Sequence, residues 1–363
     1  MKAAVLNSFS GQFDIEELEI DEPRGSEVLV EVRAAGLCHS DLHMASHDYG
    51  TPLPAVFGHE LAGVVAQIGP DVRGFQIGDH VVGSLLQSCG HCSSCVGGLS
   101  YQCDDPDSTL RAPSQGHRLF RHGRPVTQVF GTGGFAEFSL IHEQQLARVP
   151  KEMPFAQACI LGCSTVTGAG AVLNTAQLRV GDSMAVIGAG GVGLNAIAAA
   201  KLAGAREIIA IDILDSKLET AEKFGATHTI NSAKTEAVTA LRTIAHAGVD
   251  HVFEVVGLKS TSEQAIQMCR KGGSTYLIGA HRPGAKIEID VNNDLLIGQR
   301  RVIGVWMGSS NIKNDIPKYA ELYLQGQFDL DSLISRTINI SEINEAYSEL
   351  SSGTIARSVI TSF

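Results

Sequence analysis

No stretch limits the possible folds of this chain as much as residues 183–212, which read SMAVIGAGGVGLNAIAAAKLAGAREIIAID. Ser183 to Ile187 is a short apolar run suited to a buried strand. Gly188, Gly190 and Gly193 follow as G-x-G-x-x-G, with Gly191 and Val192 inside the motif. Residues 192–203 are small and apolar without proline, suited to a helix lying close on a sheet. Glu207 to Ile211 is a second buried run, and it ends in Asp212. With 39 glycines in the chain a bare G-x-G-x-x-G can arise by chance, so its context decides. Strand, glycine turn, helix, strand and acid in this order are the parts of a dinucleotide-binding βαβ unit. The glycines let the backbone turn sharply and approach a pyrophosphate, which the helix N-terminus then meets with free N–H groups and its positive dipole end. Asp212 can accept both adenosine ribose hydroxyls and would repel a 2′-phosphate, so NAD is favoured over NADP.

The 363 residues are ample for two domains. A net charge of −11 argues against a nucleic-acid or anionic-membrane partner. No run of 18 apolar residues occurs, and the N-terminus lacks an h-region and cleavage site, so a cytoplasmic protein is expected. Residues 1–36 alternate in short runs broken by Pro23, Arg24 and Gly25, which reads as antiparallel strands and tight turns. Residues 104–134, broken by prolines and glycines, read as loop with marginal structure. From Gly181 strands alternate with helices, which means a parallel sheet. The tail reads as two helices, and IARSVITSF as a strand rejoining the first domain. The expected architecture is α/β plus mainly β. Residues 1–164 and 308–363 form one domain, and 165–307 form a doubly wound domain inserted within it.

Four of the 8 cysteines crowd together: Cys89, Cys92, Cys95 and Cys103 give C-x2-C-x2-C-x7-C. This is a metal pattern rather than a disulfide framework. Four thiolates on one short lobe (residues 89–103) can close a tetrahedron round Zn²⁺. A [4Fe–4S] cluster is the alternative, but the long last gap and missing Cys-Pro ending lean to zinc. A site filled wholly by protein leaves no room for substrate and is expected to be structural. Cys38, His39, His43, His59, Glu60 and Cys163 form a second, dispersed group. A thiolate pair plus imidazole with one open position is the pattern of a catalytic zinc, although spacing alone does not assemble it.

Over essentially its full length the chain resembles the zinc-dependent medium-chain alcohol dehydrogenases, near the thiol-dependent formaldehyde dehydrogenase branch. The residues that carry the resemblance are GLCHSDLH at 36–43, GHELAGVV at 58–65, GDHVV at 78–82, the four-cysteine lobe, LGCSTVTG at 161–168, GAGGVG before IDI, and the final IARSVI. It implies a GroES-like catalytic domain with an inserted Rossmann domain, NAD, and two zinc ions per subunit. Cys38, His59 and Cys163 are implied ligands of the catalytic zinc. Cys159 lies only four residues before Cys163, and spacing does not choose between them. Glu60 is expected behind the zinc and Asp41 to orient His59.

The implied reaction is reversible hydride transfer between a primary alcohol, aromatic or allylic among them, and NAD+. Ser40 is expected to touch the substrate oxygen and His43 to pass its proton to solvent. His39 stands where many relatives carry arginine on the pyrophosphate. Arg357 is expected to make a second phosphate contact, and Lys217 to reach the ribose. Tyr49, Leu85, Phe135 and Trp306 are expected to line an apolar substrate pocket. Arg111, Arg118, Arg121 and Arg124, with His117 and His122, form a basic patch that could bind the carboxylate of a thiol adduct. The alternatives are therefore a thiol-dependent formaldehyde dehydrogenase and a quinone or enone reductase without the catalytic zinc. A homodimer or homotetramer is expected.

Overall fold

The computed structural model describes residues 1–352 and 357–363. The chain divides into two compact units. The first comprises Met1–Cys163, Asn311–Gly326 and Leu330–Phe363. The second comprises Ser164–Ser310 and Gln327–Asp329.

The first unit is built on two sheets. In one, Phe13–Glu17, Lys2–Leu6, Ala55–Val56, Arg124–Gln128, Leu119–Arg121 and Glu19–Ile20 lie side by side. In the other the order is Leu146–Arg148, His80–Gly83, Glu60–Ile68, Glu27–Gly36, Ser358–Ser362 and Arg336–Asn339, with Phe138–His142 also pairing with Glu27–Gly36. Strands from both sheets send Val5, Val30, Val32, Leu61 and Ile141 into one core, joined by Phe57 and Phe135 from the connecting loops. The C-terminal strand does rejoin this unit, with Val359 opposite Gly36 and Ile360 opposite Ala35. Ile355 and Ala356, at the start of that expected strand, lie outside the described residues.

Residues 104–134 differ from the sequence expectation. They contain a β-hairpin, Leu119–Arg121 against Arg124–Gln128, with Arg121 opposite Arg124. Its two loop residues, His122 and Gly123, have φ of 50° and 71°. Positive φ at both positions is the two-residue turn that matches strand twist. Three of the four arginines, Arg111, Arg118 and Arg121, are not part of a free basic patch, while Arg124 is exposed. Arg111 binds Glu27 through two nitrogens at 2.8 and 2.6 Å and Asp21 at 2.6 Å. Arg118 is 7% exposed and binds Glu27 at 2.7 Å and the Thr109 carbonyl at 2.7 Å. Arg121 pairs with Glu16. The sequence shows the cations but not carboxylates some 90 positions away, and those carboxylates consume the charge.

The second unit is a six-stranded, all-parallel sheet. Its order is His228–Asn231, Glu207–Asp212, Ser183–Ile187, Val249–Glu254, Cys269–Leu277 and Arg301–Gly304. Numbered along the chain this is 3-2-1-4-5-6, the doubly wound dinucleotide-binding order. The strands are apolar because both faces are covered, and Ala185, Ile187, Ile209, Ile211 and Val252 meet Leu241, Ala265 and Met268 from the helices. Helix Asp215–Phe224 is stopped by Gly225 at φ 119°, the left-handed cap that glycine adopts without a Cβ clash.

The helical stretch Phe155–Thr175 is long and apolar enough to cross a bilayer by length and composition, and 83% of its most apolar window is buried inside the protein. It contains two π-helical turns, Leu161–Thr165 and Ala171–Thr175. Gly162 sits in the first, where an added Cβ would overlap the Gly83 carbonyl oxygen. The missing side chain therefore lets this turn lie directly on strand His80–Gly83.

Two tests follow from this architecture. Arg118→Ala removes one of the two arginines on buried Glu27 while Arg111 remains, so denaturant unfolding should show a loss of about 1–3 kcal/mol. Adding Glu27→Gln to that variant should recover part of it. In the glycine turn, an added Cβ at Gly193 would overlap the Gly188 carbonyl oxygen, whereas at Gly190 it meets nothing within 4 Å. Gly193→Ala should therefore lower stability by about 1–3 kcal/mol. Gly190→Ala should melt near the parent yet bind dinucleotide more weakly by fluorescence titration.

Candidate active site

The site begins where strand Glu27–Gly36 ends. Cys38 follows as the N-cap of helix His39–Ser46, a position where the free N–H groups favour a thiolate. Strand Glu60–Ile68 lies antiparallel to it with Gly36 opposite Glu60. An added Cβ at Gly36 would overlap Glu60 Oε2, so the absent side chain is what lets the Glu60 carboxylate fold inward. Gly58, at φ 95°, makes the turn that delivers His59 and Glu60. A Cβ there would come within 2.6 Å of the Phe135 ring. Cys163 arrives from the π-helical turn packed on His80–Gly83.

These elements bring Cys38, His59, Glu60 and Cys163 together. All four are buried, and one ligand atom from each lies within 4.8 Å of the others. His59 is oriented from behind by the fully buried Asp41, whose Oδ2 lies 2.9 Å from Nδ1 at ion-pair distance but without hydrogen-bond alignment. Asp41 Oδ1 also accepts the Gly58 amide at 3.3 Å. His59 Nε2 is buried without a hydrogen-bond partner. Arg357 lies behind Glu60, with Nη1 2.6 Å from Oε2 and 3.3 Å from the Leu37 carbonyl. At 6% exposure it is no surface arginine.

The electrostatics are those of a cation site. The hydrogen bond from Cys163 holds the Cys38 thiol well below its usual range, against the effect of burial. The same bond, with burial, pushes Cys163 up. Burial opposes a charged His59, yet Asp41 and Cys38 beside it hold its pKa well above the usual value. Burial pushes Glu60 up to about 7 despite Arg357. Two thiols, an imidazole with an orphaned nitrogen and a carboxylate are donors that suit Zn²⁺, whose ligand atoms sit ~3.3–3.8 Å apart round a tetrahedron. The residues fit the ion. Cys159 is not in this group. It is buried, and its thiol donates to the Ala156 carbonyl at 3.2 Å.

Cys89, Cys92, Cys95 and Cys103 form a second group, again within 4.8 Å. The sulfurs of Cys89 and Cys95 are 3.9 Å apart, and those of Cys92 and Cys103 are 4.0 Å apart. These are too long for a disulfide and near the ~3.8 Å edge of a ZnS4 tetrahedron. Backbone amides already point at the sulfurs, Cys89 N to Cys103 at 3.1 Å and Cys92 N to Cys89 at 3.3 Å. Val96 is 75% and Leu99 41% exposed. The lobe therefore lacks a core of its own, and a structural ion suits it.

In the second unit Gly188 has φ 104°, Gly190 caps helix Gly191–Leu202, and Asp212 ends the second strand. The Asp212 carboxylate is anchored by the amides of Ala189 at 2.8 Å, Ile213 at 2.7 Å and Leu214 at 3.1 Å. Val192 opens the same helix and is half-buried, as is Lys217 on the next one. In the first unit His39 is exposed on the first turn of its helix and Ser40 half-buried beside it.

The expected substrate wall is reassigned in part. Phe135 has no exposure and packs edge-on to Phe13 and Tyr347 in the core. It is a core residue because its amide ties to the Phe57 carbonyl and its ring fills the space left by Gly58. Leu85 is 8% and Trp306 58% exposed. Tyr49, 38% exposed, places its hydroxyl 2.5 Å from His43 Nε2. Spacing gave no signal for that contact, since the two residues lie on a helix and on the loop beyond it.

Comparison with known proteins agrees with this geometry. Residues 24–151 match the family described as alcohol dehydrogenase GroES-like domain, and 191–325 match zinc-binding dehydrogenase. The chain is 35% identical to an NDMA-dependent alcohol dehydrogenase of Amycolatopsis methanolica, over 99% of this chain and 98% of that one. A crystal structure of an alcohol dehydrogenase zinc-binding domain protein from Burkholderia ambifaria superposes with TM-score 0.95 at 40% identity, covering 100% and 98%. That of benzyl alcohol dehydrogenase from Acinetobacter calcoaceticus gives 0.94 at 36%, covering 100% and 99%. With sequence, sheet order and both donor clusters in agreement, this chain belongs to the zinc-dependent medium-chain alcohol dehydrogenase family.

Proposed function

We propose that this alcohol dehydrogenase interconverts a primary alcohol, of the aromatic or allylic class, with its aldehyde, using NAD and two zinc ions per subunit. The observation that carries the reading is the buried set Cys38, His59, Glu60 and Cys163 with its orphaned His59 Nε2. Zinc held there would supply Lewis acidity that makes an alcohol hydroxyl easier to deprotonate, and a bound nicotinamide would supply the hydride acceptor. The protein's own groups do the rest. Asp41 and Gly58 hold His59 so that Nε2 faces the donors. Arg357 tempers the negative charge of Glu60 and, with His39, is the proposed contact for the dinucleotide phosphates. Ser40 takes the alcohol proton and His43 passes it outward. Gly188, Gly190, Gly191, Val192 and Gly193 cradle the pyrophosphate.

NAD rather than NADP is supported by Asp212. Three amides pin its carboxylate, and a fixed negative charge there repels a 2′-phosphate. Lys217 is proposed to reach the same ribose. The aromatic alcohol class is supported by the likeness to benzyl alcohol dehydrogenase, with Leu85 and Trp306 as candidate apolar contacts. The pairing of Arg111, Arg118 and Arg121 with carboxylates weighs against a thiol cosubstrate. Val291, Leu296 and Ile297, at 68%, 70% and 55% exposure, and the edge strand Arg301–Gly304 favour a homo-oligomer.

An NAD-coupled screen of alcohols, with and without glutathione or mycothiol, should give turnover of benzyl-type alcohols that neither thiol stimulates. Elemental analysis should find two zinc ions per subunit. Cys163→Ser should keep the fold, fall to about one zinc and lose at least ~10²-fold in kcat, whereas Cys95→Ser should chiefly lower thermal stability. One zinc in the parent with full enone reduction would overturn the assignment. In Asp212→Ala the NAD over NADP preference in kcat/KM should shrink by roughly tenfold or more.

A further inference from the structure

His43 lies on the last turn of helix His39–Ser46, and the chain beyond folds back over it. Gly50, at φ 88°, donates its amide to Asp48 Oδ1 at 2.8 Å, which closes a tight turn round Tyr49. That turn places the Tyr49 ring 5.4 Å from the His43 ring at a 35° tilt, with its hydroxyl 2.5 Å from Nε2. His47 completes the group, its ring 5.1 Å from His43 and its Nδ1 3.3 Å from the His43 carbonyl. The hydrogen bond joins a half-buried imidazole to a phenol whose side chain is 38% exposed. It is a short bond at the surface, between a half-buried group and a more exposed one. A residue that only walled an apolar pocket would turn its ring to the substrate and would gain nothing from a hydroxyl held on histidine.

We infer that Tyr49 is a positioning residue of the proton path: it holds His43 by Nε2 and carries the proton from that imidazole to solvent. This rests on the alcohol-oxidation reading, in which each turnover releases one proton. When His43 is protonated, its Nε2–H donates to the phenolic oxygen. On release that proton passes to the oxygen as the phenol's own hydrogen leaves to water, so imidazole and phenol both return to their neutral forms. A histidine whose path ends in a fixed phenol needs no reorientation between proton uptake and release, which is where pre-organisation saves time.

Tyr49→Phe keeps the ring and removes only the hydroxyl, and the zinc-loaded enzyme serves as the test protein. In dilute buffer, kcat for alcohol oxidation is expected to fall roughly tenfold, with KM and zinc content unchanged. Imidazole at high concentration should restore the variant while barely affecting the parent. His43→Gln should show a comparable loss, and the double variant should be no slower than His43→Gln alone. An unchanged kcat in dilute buffer overturns the inference. So does a raised KM for aromatic alcohols at unchanged kcat, which would return Tyr49 to the pocket wall. A second readout needs no turnover: the ¹⁵N resonance of His43 Nε2 should move on Tyr49→Phe, and an unmoved resonance overturns the inference on its own. If the parent shows no NAD-coupled alcohol turnover at all, the activity reading fails, and the resonance still decides whether Tyr49 holds His43.

Discussion

Close approach at three glycines is what the cluster of candidate metal donors depends on. Gly36 leaves room for the Glu60 carboxylate, Gly58 turns the chain into His59 against the Phe135 ring, and Gly162 lets the helix bearing Cys163 lie on the Gly83 carbonyl. A methyl group at any of these three would push one donor away from the others. Four donors from three separate segments, with His59 and Glu60 adjacent in the chain, then converge. Burying them is costly unless the charges are matched. Asp41 behind His59 and Arg357 behind Glu60 supply opposite charges that a cation at the centre would complete.

The same physics governs the rest of the first unit. Glu27 is buried at the start of the long central strand and is tolerable there because Arg111 and Arg118 both reach it. Residues 104–134 are thereby tied down by ion pairs as well as by Leu119, Val126 and Val129 in the core, and the hairpin within them completes the smaller sheet. In the cysteine lobe there is neither apolar core nor such a network. Amides already directed at the sulfurs there prepare a site for an ion to close.

The second unit stands on ordinary packing. Its first two strands are near-continuous apolar runs, its six strands are all parallel in the order 3-2-1-4-5-6, and the glycine turn follows the first strand while Asp212 ends the second. Asp212 ties these two places together: the amides that hold its carboxylate include that of Ala189, within the glycine turn itself.

Much of this was legible in order of residues because it is local. The glycine turn with its flanking strands, the C-x2-C-x2-C-x7-C lobe and the Gly225 cap each complete their chemistry within about 30 residues, so spacing alone carries them. Cys38, His59 and Cys163 were legible only through family resemblance, since no periodicity joins positions 38, 59 and 163. Tertiary structure alone decided that Phe135 is core, that Arg111, Arg118 and Arg121 are spent on Glu27, Asp21 and Glu16, and that Tyr49 meets His43. Each of those outcomes depends on a partner from another element. Side-chain chemistry can be read from a sequence, but the distance between two groups is settled only when the backbone has brought them together.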